Sequence, residues 1–373
     1  MRTERYLRQI LFHPIGKEGQ RRLAEASAVV VGCGAIGSTT ASLLARSGIG
    51  YLRVIDRDVL EESNLQRQEL FDEEDLREGL PKALAAEKRL RRINSTIRVE
   101  GITADLNPAN AETLLRDAQV ILDGTDNFET RLLLNDYALK TGTPWIYSAC
   151  LGSQALLMDV LPGKTLCLRC LVDSIPLPGS LPTCETAGIL APAAKLIASI
   201  QTTEALKILT NHQEALISGL VNIDLWKGSF QKVDTQTAFI GSGPATPSPT
   251  CPACQKGEYE FLNAKGFSLT TTLCGSNAVQ ITPGGNAGNG AKIDLLALSR
   301  RLQSTLGVDN ISQSPYLLKF RCRDRALALS KADRPEGLSL HLEMVIFPDG
   351  RALLFGTQDT SLARTLYSQY VGL

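Results

Sequence analysis

Two Cys-x-x-Cys pairs, Cys167–Cys170 and Cys251–Cys254, offer four thiolates, the ligand set of a tetrahedral zinc ion. Sulfur at all four positions leaves none open for substrate. The expected zinc is therefore structural and staples the end of the first domain to its core. A second constellation, Gly32-Cys33-Gly34-Ala35-Ile36-Gly37, follows the β-branched run Ala28–Val31. There Gly32 permits a tight turn, Gly34 lets the backbone approach a phosphate, and Gly37 allows a helix to pack closely on the strand. The N–H groups that open the following helix favour an anion, so a nucleotide is expected, NAD and ATP alike. Asp56 closes the next strand, where a carboxylate accepts hydrogen bonds from ribose hydroxyls; Asp58 is the alternative for that task.

The chemistry narrows at Ser63-Asn64-Leu65-Gln66-Arg67-Gln68, which packs amides and a guanidinium into one turn just after the ribose acid. Arg67 and Lys82 can neutralise a triphosphate and Asn64 can hydrogen-bond it, an arrangement a generic dehydrogenase does not need. Asp126, within Asp123-Gly124-Thr125-Asp126-Asn127, ends another strand, and a carboxylate beside a triphosphate is suited to hold magnesium. Asp123 either shares that metal or is structural. No G-x-x-x-x-G-K-[ST] motif occurs, and Gly163-Lys164-Thr165 lacks the upstream glycine, which argues against a P-loop ATPase. Cys184 stands between a loop rich in proline and glycine, Ser174 to Pro182, and a helix. A helix N-terminus lowers a thiol pKa, so Cys184 is a candidate nucleophile, with a passive cysteine as the alternative.

The elements that position these residues alternate. Strands are expected at Ala28–Val31, Tyr51–Ile55, Ile97–Ile102, Val120–Leu122, Trp145–Tyr147 and Gln154–Val160, with helices up to Arg46, over Pro81–Ile93 and over Arg131–Lys140. This is the pattern of an α/β, doubly wound, Rossmann-like sheet whose sites lie at strand C-termini. A long helix from Gly188 to Leu209 and two strands complete residues 1–257, an expected nucleotide-binding domain with its zinc site. Residues 241–250 are linker by composition. Residues 258–373 carry short strands, the turn Pro348-Asp349-Gly350 and a terminal helix, and are expected to form a small C-terminal α+β module.

Lysine plus arginine equals aspartate plus glutamate at 39 each, and aromatic residues are 5%, so neither charge nor stacking points to nucleic acid. The apolar stretch from Gly188 to Leu209 is interrupted by Lys195, Glu204 and Lys207, and no secretory signal is visible, so no membrane span is expected and a cytoplasmic location is. Nine cysteines, an odd number, do not make a disulfide framework.

Taken together, Arg5-Tyr6-Leu7-Arg8-Gln9, the glycine loop, Ser63 to Gln68, Pro81-Lys82, Thr125-Asp126-Asn127 with Arg131, both cysteine pairs and Thr183-Cys184 resemble the ThiF/MoeB/HesA family of adenylyltransferases. That family activates ubiquitin-like proteins, and its bacterial members serve thiamine and molybdopterin biosynthesis. The resemblance spans roughly residues 4 to 256 and implies that residues 1–257 are an ATP-binding adenylation domain. It implies that Asp56 binds ribose, that Asn64, Arg67, Gln68 and Lys82 surround the phosphates, and that Asp126 binds magnesium with Asn127 and Arg131 in the same nucleotide site. It implies a homodimer in which Arg8 reaches the neighbouring subunit's active site. The implied partner is a small β-grasp protein ending in Gly-Gly, with sulfur from a separate donor, and Cys184 able to form a covalent link after adenylation. Two rivals stay open: an NAD-dependent oxidoreductase, which shares the glycine loop and Asp56, and a nucleotide-binding scaffold without chemistry.

Overall fold

The computed structural model describes residues 3–172, 187–233, 239–240, 243–244, 250–264, 270–273, 278–282, 293–303, 305, 308–322 and 342–371. Two units divide the chain, Met1–Ala264 and Lys265–Leu373.

In the first unit, eight strands form one sheet: β1 (Ser27–Val31), β2 (Tyr51–Asp56), β3 (Arg98–Thr103), β4 (Val120–Asp123), β5 (Trp145–Leu151), β6 (Gln154–Val160), β7 (Leu220–Asp224) and β8 (Ser229–Val233). Their order is β3-β2-β1-β4-β5-β6-β7-β8. The chain runs from β1 outward to β3, then returns to the other side of β1 with β4. That reversal opens a crevice at the C-terminal ends of β1 and β4, where open α/β sheets bind ligands.

Strands β1 to β5 pair in parallel, whereas β6, β7 and β8 are antiparallel. The expected α/β, doubly wound, Rossmann-like sheet is present, and an antiparallel half extends it. The cause is local: Gly152 and Ser153 alone join β5 to β6, with Gly152 at φ +58. A parallel return needs a crossover of a dozen residues or more.

The helices of this unit are α1 (Leu7–Leu11), α2 (Gly16–Glu25), α3 (Ala35–Ser47), α4 (Glu73–Glu78), α5 (Lys82–Ile93), α6 (Ala111–Leu114), α7 (Phe128–Thr141), α8 (Leu168–Leu171) and α9 (Ala191–Leu209). One apolar core joins the sheet to α3, α5 and α9 through Leu44, Leu90, Ile197 and Ile208. The other joins its opposite face to α7 and the cysteine segments through Leu132, Leu134 and Leu168. Among the described residues no helix is long and apolar enough to cross a membrane.

The second unit is a six-stranded antiparallel sheet, ordered Thr270–Leu273, Ala278–Ile281, Ala352–Phe355, Leu342–Ile346, Leu318–Cys322 and Val308–Gln313. Its core includes Leu295–Gln303 and Thr360–Tyr370, both helical, packed on Val279, Phe320, Met344 and Leu354.

One buried feature of the first unit titrates. Asp159 on β6 and Glu204 on α9 are buried together, 3% and 0% exposed. Burial and the facing Glu204 push the Asp159 carboxyl up to about 9. Glu204 is balanced by Lys207 at 2.6 Å and by the Ile217 N–H at 2.7 Å. An unfolded aspartate releases its proton near pH 3.9. Between there and about 9 the folded chain holds one proton more, so stability falls as pH rises through that window. We expect Asp159→Asn to flatten this decline. Between pH 6 and 8 the wild type should lose up to about 1.4 kcal/mol per pH unit more than the variant, the slope of one proton. Urea unfolding at several pH values checks this; parallel pH profiles for the two proteins would refute it.

Candidate active site

The glycine loop is built by steric exclusion. Gly32 leaves β1 at φ +84, and a Cβ there would meet the Gly124 carbonyl oxygen at 2.5 Å. A Cβ on Gly37 would stand 1.8 Å from the Gly32 carbonyl oxygen, so the first turn of α3 packs against the loop only as glycine. Gly34 differs. A Cβ there would first meet the Gly124 oxygen at 3.9 Å, an ordinary contact. The chain's own atoms do not demand glycine at Gly34, which leaves the space above it open to a ligand.

Asp56, at the end of β2, is buried and ties the loop together. One carboxylate oxygen accepts the Cys33 N–H at 2.6 Å, the other the Asp58 N–H at 2.7 Å. Burial and then Asp58 raise its pKa, opposed by Lys82 and the two N–H groups. Two oxygens carry about four acceptor sites, so two remain beyond these N–H groups. Asp58 faces the Lys82 Nζ at 3.3 Å. Burial disfavours the Lys82 charge, but Asp58 and Asp56 outweigh it and hold the pKa above the ordinary lysine range.

The segment from Arg57 to Pro81 leaves the end of β2 and returns to Lys82 at the start of α5. Asn64 closes a capping box with Glu61, accepting its N–H at 3.3 Å. Arg67 donates to the Ser63 carbonyl at 2.6 Å and makes no ion pair among the described residues. Gln68 is buried, 3% exposed, and its side-chain oxygen finds no donor there. A guanidinium without a carboxylate partner suits an anionic ligand, and a buried acceptor without a donor suits a hydroxyl.

Across the crevice, Asp123 is fully buried and organises the loop after β4. Its Oδ1 accepts the Thr125 N–H at 2.8 Å and the Thr125 hydroxyl at 2.7 Å, and its Oδ2 faces the Arg131 Nε at 3.3 Å. Arg131 also donates to the Thr125 carbonyl at 2.7 Å and the Ser148 carbonyl at 3.2 Å, with its guanidinium near the rings of Phe128 and Tyr147. Arg131 thus supports the loop from beneath. Asn127 is the N-cap of α7, accepting the Thr130 N–H at 2.8 Å. Asp126 alone in this loop is exposed; its carboxylate accepts the Asn127 amide at 3.4 Å and makes no ion pair among the described residues. Its charge nonetheless acts on Arg57 and Arg131.

The sulfurs of Cys167, Cys170, Cys251 and Cys254 lie within 4.8 Å of one another. The separations Cys167–Cys170, Cys167–Cys251 and Cys170–Cys254 are 3.8, 3.7 and 3.5 Å. Four thiolates at zinc–sulfur distance around a tetrahedral centre stand about 3.8 Å apart, so the donor set fits zinc.

Cys184 and the loop Ser174 to Pro182 lie outside the described residues. Arg8 is exposed on α1, which is anchored away from the crevice: Gln9 donates to the Ser47 carbonyl at 2.9 Å, and Tyr6 accepts from Asn94 at 2.8 Å. Ser47 ends α3 and Asn94 caps α5, while both helices begin at the crevice. The 13 residues of α3 span about 20 Å, so Arg8 does not reach the crevice of its own chain.

Sequence reasoning also passed over residues beneath the loop. Gln201 and Ser148 are buried there, joined by a 3.0 Å hydrogen bond. The signal for Gln201 was a lone amide within a long apolar helix, where an unsatisfied polar group would be costly.

The sequence model of the ThiF family matches residues 6–240, spanning the glycine loop, the Asp126 loop and the first cysteine pair. The chain belongs to the ThiF family. Relatives of this ThiF-family chain include the sulfur carrier protein ThiS adenylyltransferase of Bacillus subtilis (strain 168), 40% identical over 370 residues, 99% of this chain and all of that protein. The sulfur carrier protein adenylyltransferase of Thermus thermophilus is 36% identical over 272 residues, 71% of this chain and 96% of that one. A crystal structure of E. coli MccB with ATP superposes with a TM-score of 0.57 at 25% identity, covering 68% of this chain and 74% of MccB. This member of the ThiF family is an adenylyltransferase of the ThiF/MoeB type, which displaces the oxidoreductase and scaffold alternatives.

Proposed function

We propose that this chain adenylates the C-terminal Gly-Gly carboxylate of a small β-grasp, ubiquitin-like sulfur carrier, using ATP and magnesium. A carboxylate oxygen attacks the α-phosphorus of ATP, the bond to the β-phosphate bridging oxygen breaks, and pyrophosphate leaves. The carboxylate is ionised at neutral pH, so no general base is required, and no histidine enters this account of the crevice. Catalysis is positioning and charge neutralisation. Asp56 takes the ribose, Arg67 and Lys82 face the phosphates, Asn64 and Gln68 hydrogen-bond the nucleotide, and the exposed carboxylate of Asp126 holds magnesium. Bound there, the metal would offset phosphate charge; it takes one or two carboxylates plus phosphate oxygens, which suits a lone Asp126.

The observation that supports this reading is a glycine loop open to a ligand at Gly34, tied by the Cys33 N–H to the buried Asp56 beside the buried cation Lys82, with the exposed Asp126 carboxylate on the loop after β4. The far placement of Arg8 supports a homodimer in which a second copy supplies it. Leu7, Leu11 and Phe12 beside it are 49%, 65% and 61% exposed, an apolar strip suited to that contact. The match over the full length of a ThiS adenylyltransferase favours the thiamine branch over the molybdopterin one. The zinc is structural, the location cytoplasmic, and the sulfur comes from a separate donor, with Cys184 acting only after adenylation.

Mass spectrometry of candidate Gly-Gly carriers incubated with the chain, ATP and magnesium tests this. A ThiS-type carrier should gain one AMP, both with wild type and with Cys184→Ala. A carrier unmodified by either protein, or modified away from its C-terminus, would contradict the proposal.

A further inference from the structure

The ladder between β4 and β5 stops early. Ile121 pairs with Trp145 and Leu122 with Ile146, and no pairing follows. Asp123, the last residue of β4, therefore has no backbone partner on the β5 strand. A buried carbonyl in that position needs a donor.

Gln201 supplies it. This residue lies on α9, is fully buried, and directs its side-chain amide into the gap. Its Nε2 donates to the carbonyls of Asp123 at 2.9 Å and Ile146 at 3.1 Å and lies 3.0 Å from the Ser148 hydroxyl. That hydroxyl itself donates to the Asp123 carbonyl at 2.7 Å. The Gln201 Oε1 accepts from Thr40 on α3 at 2.8 Å, which fixes which end of the amide points at the strands. One side chain thus joins the helix that starts at the glycine loop to β4 and β5.

Asp123 passes this constraint on. Its carboxylate holds the Thr125 N–H and hydroxyl, Arg131 holds the Thr125 carbonyl, and Thr125 is the residue from which Asp126 projects. We propose that Gln201 is a positioning residue for Asp126, setting the height of its carboxylate through the carbonyl of Asp123. This rests on the reading of Asp126 as the carboxylate that holds magnesium.

The test is calorimetric titration of the full chain with ATP, with magnesium and again in EDTA. Wild type should bind ATP at least about tenfold more tightly with the metal. Gln201→Met, close in volume but unable to bridge, should cut that ratio to about threefold or less and leave metal-free affinity within about twofold. Thr40→Val removes only the hydroxyl that orients the amide and should lower the ratio in the same direction, which keeps the test decisive if Gln201→Met does not fold. A lower melting temperature with an unchanged ratio in the folded variant would reduce Gln201 to a core residue and overturn the inference. Asp126→Ala in the same titration separates the two levels. If it loses the metal-dependent gain while Gln201→Met keeps it, only the positioning role fails. If Asp126→Ala keeps the gain, the magnesium reading fails and takes this inference with it.

Discussion

Asp126→Ala should lower carrier-dependent ATP–pyrophosphate exchange by about a hundred- to a thousandfold, the scale on which removing one preorganised charge contact slows a reaction. The same variant should melt within about 1 °C of wild type, because exposed side chains without tight partners contribute little to stability. Asp126 has that character: it is exposed, and its carboxylate accepts the Asn127 amide at 3.4 Å. Asp123, three residues earlier, should behave in the opposite way. Its carboxylate is fully buried against Arg131, so Asp123→Ala leaves a buried cation without its counter-charge and should unfold the unit at lower temperature. Exchange assays and thermal melts on both variants check the pair. Near-normal exchange by Asp126→Ala would remove the carboxylate from the chemistry altogether.

Loss of the zinc ligand set has the other large effect. Cys251→Ser should lower bound zinc from one per chain to near none and lower the melting temperature by about 10 °C or more, given zinc-binding energies of roughly 10 kcal/mol in small structural sites. The damage should also reach the crevice. Segment 250–264 is held to α7 by the Phe261 N–H and Leu262 N–H, which donate to Asp136 at 2.8 and 3.4 Å, and α8 is held there by the Leu168 N–H on Asn135 at 2.8 Å. Helix α7 begins at Asn127 and carries Arg131. We therefore expect ATP affinity to fall with zinc content although no cysteine lies in the crevice. Metal analysis by plasma mass spectrometry, melting curves and ATP titration measure this. Purified wild type without zinc, or Cys251→Ser with wild-type melting, would refute the structural role.

Much of this was legible in the chain because the signals are local. The glycine spacing of residues 32–37 encodes a strand, a turn and a helix within one short stretch, and the structure shows why the first and last glycines admit no Cβ. The paired cysteines announced their cluster through repeated spacing, and the sulfurs converge. What sequence periodicity missed depends on contacts between distant segments. Arg131 is implied by the resemblance to lie in the nucleotide site, and its engagement by Asp123 and two backbone carbonyls appears only in the structure. Gln201 reads as one more helical residue, and its importance appears only when α9 is laid over the end of β4. The antiparallel half of the sheet hinged on a two-residue link that an alternating α/β pattern does not reveal. Helix α4 was also passed over: it is short and charged, and is fixed by an Asp72 capping box and by Arg89 bonding Asp75 at 2.8 Å from another helix.

Isotope exchange measures the central claim most directly: labelled pyrophosphate is supplied to the full chain with ATP, magnesium and a ThiS-type carrier. We expect label to enter ATP only when the carrier ends in a free Gly-Gly carboxylate, and to stop when the last glycine is deleted. Label entering ATP without any carrier, or equally with the truncated one, would mean that the activated group is not that carboxylate.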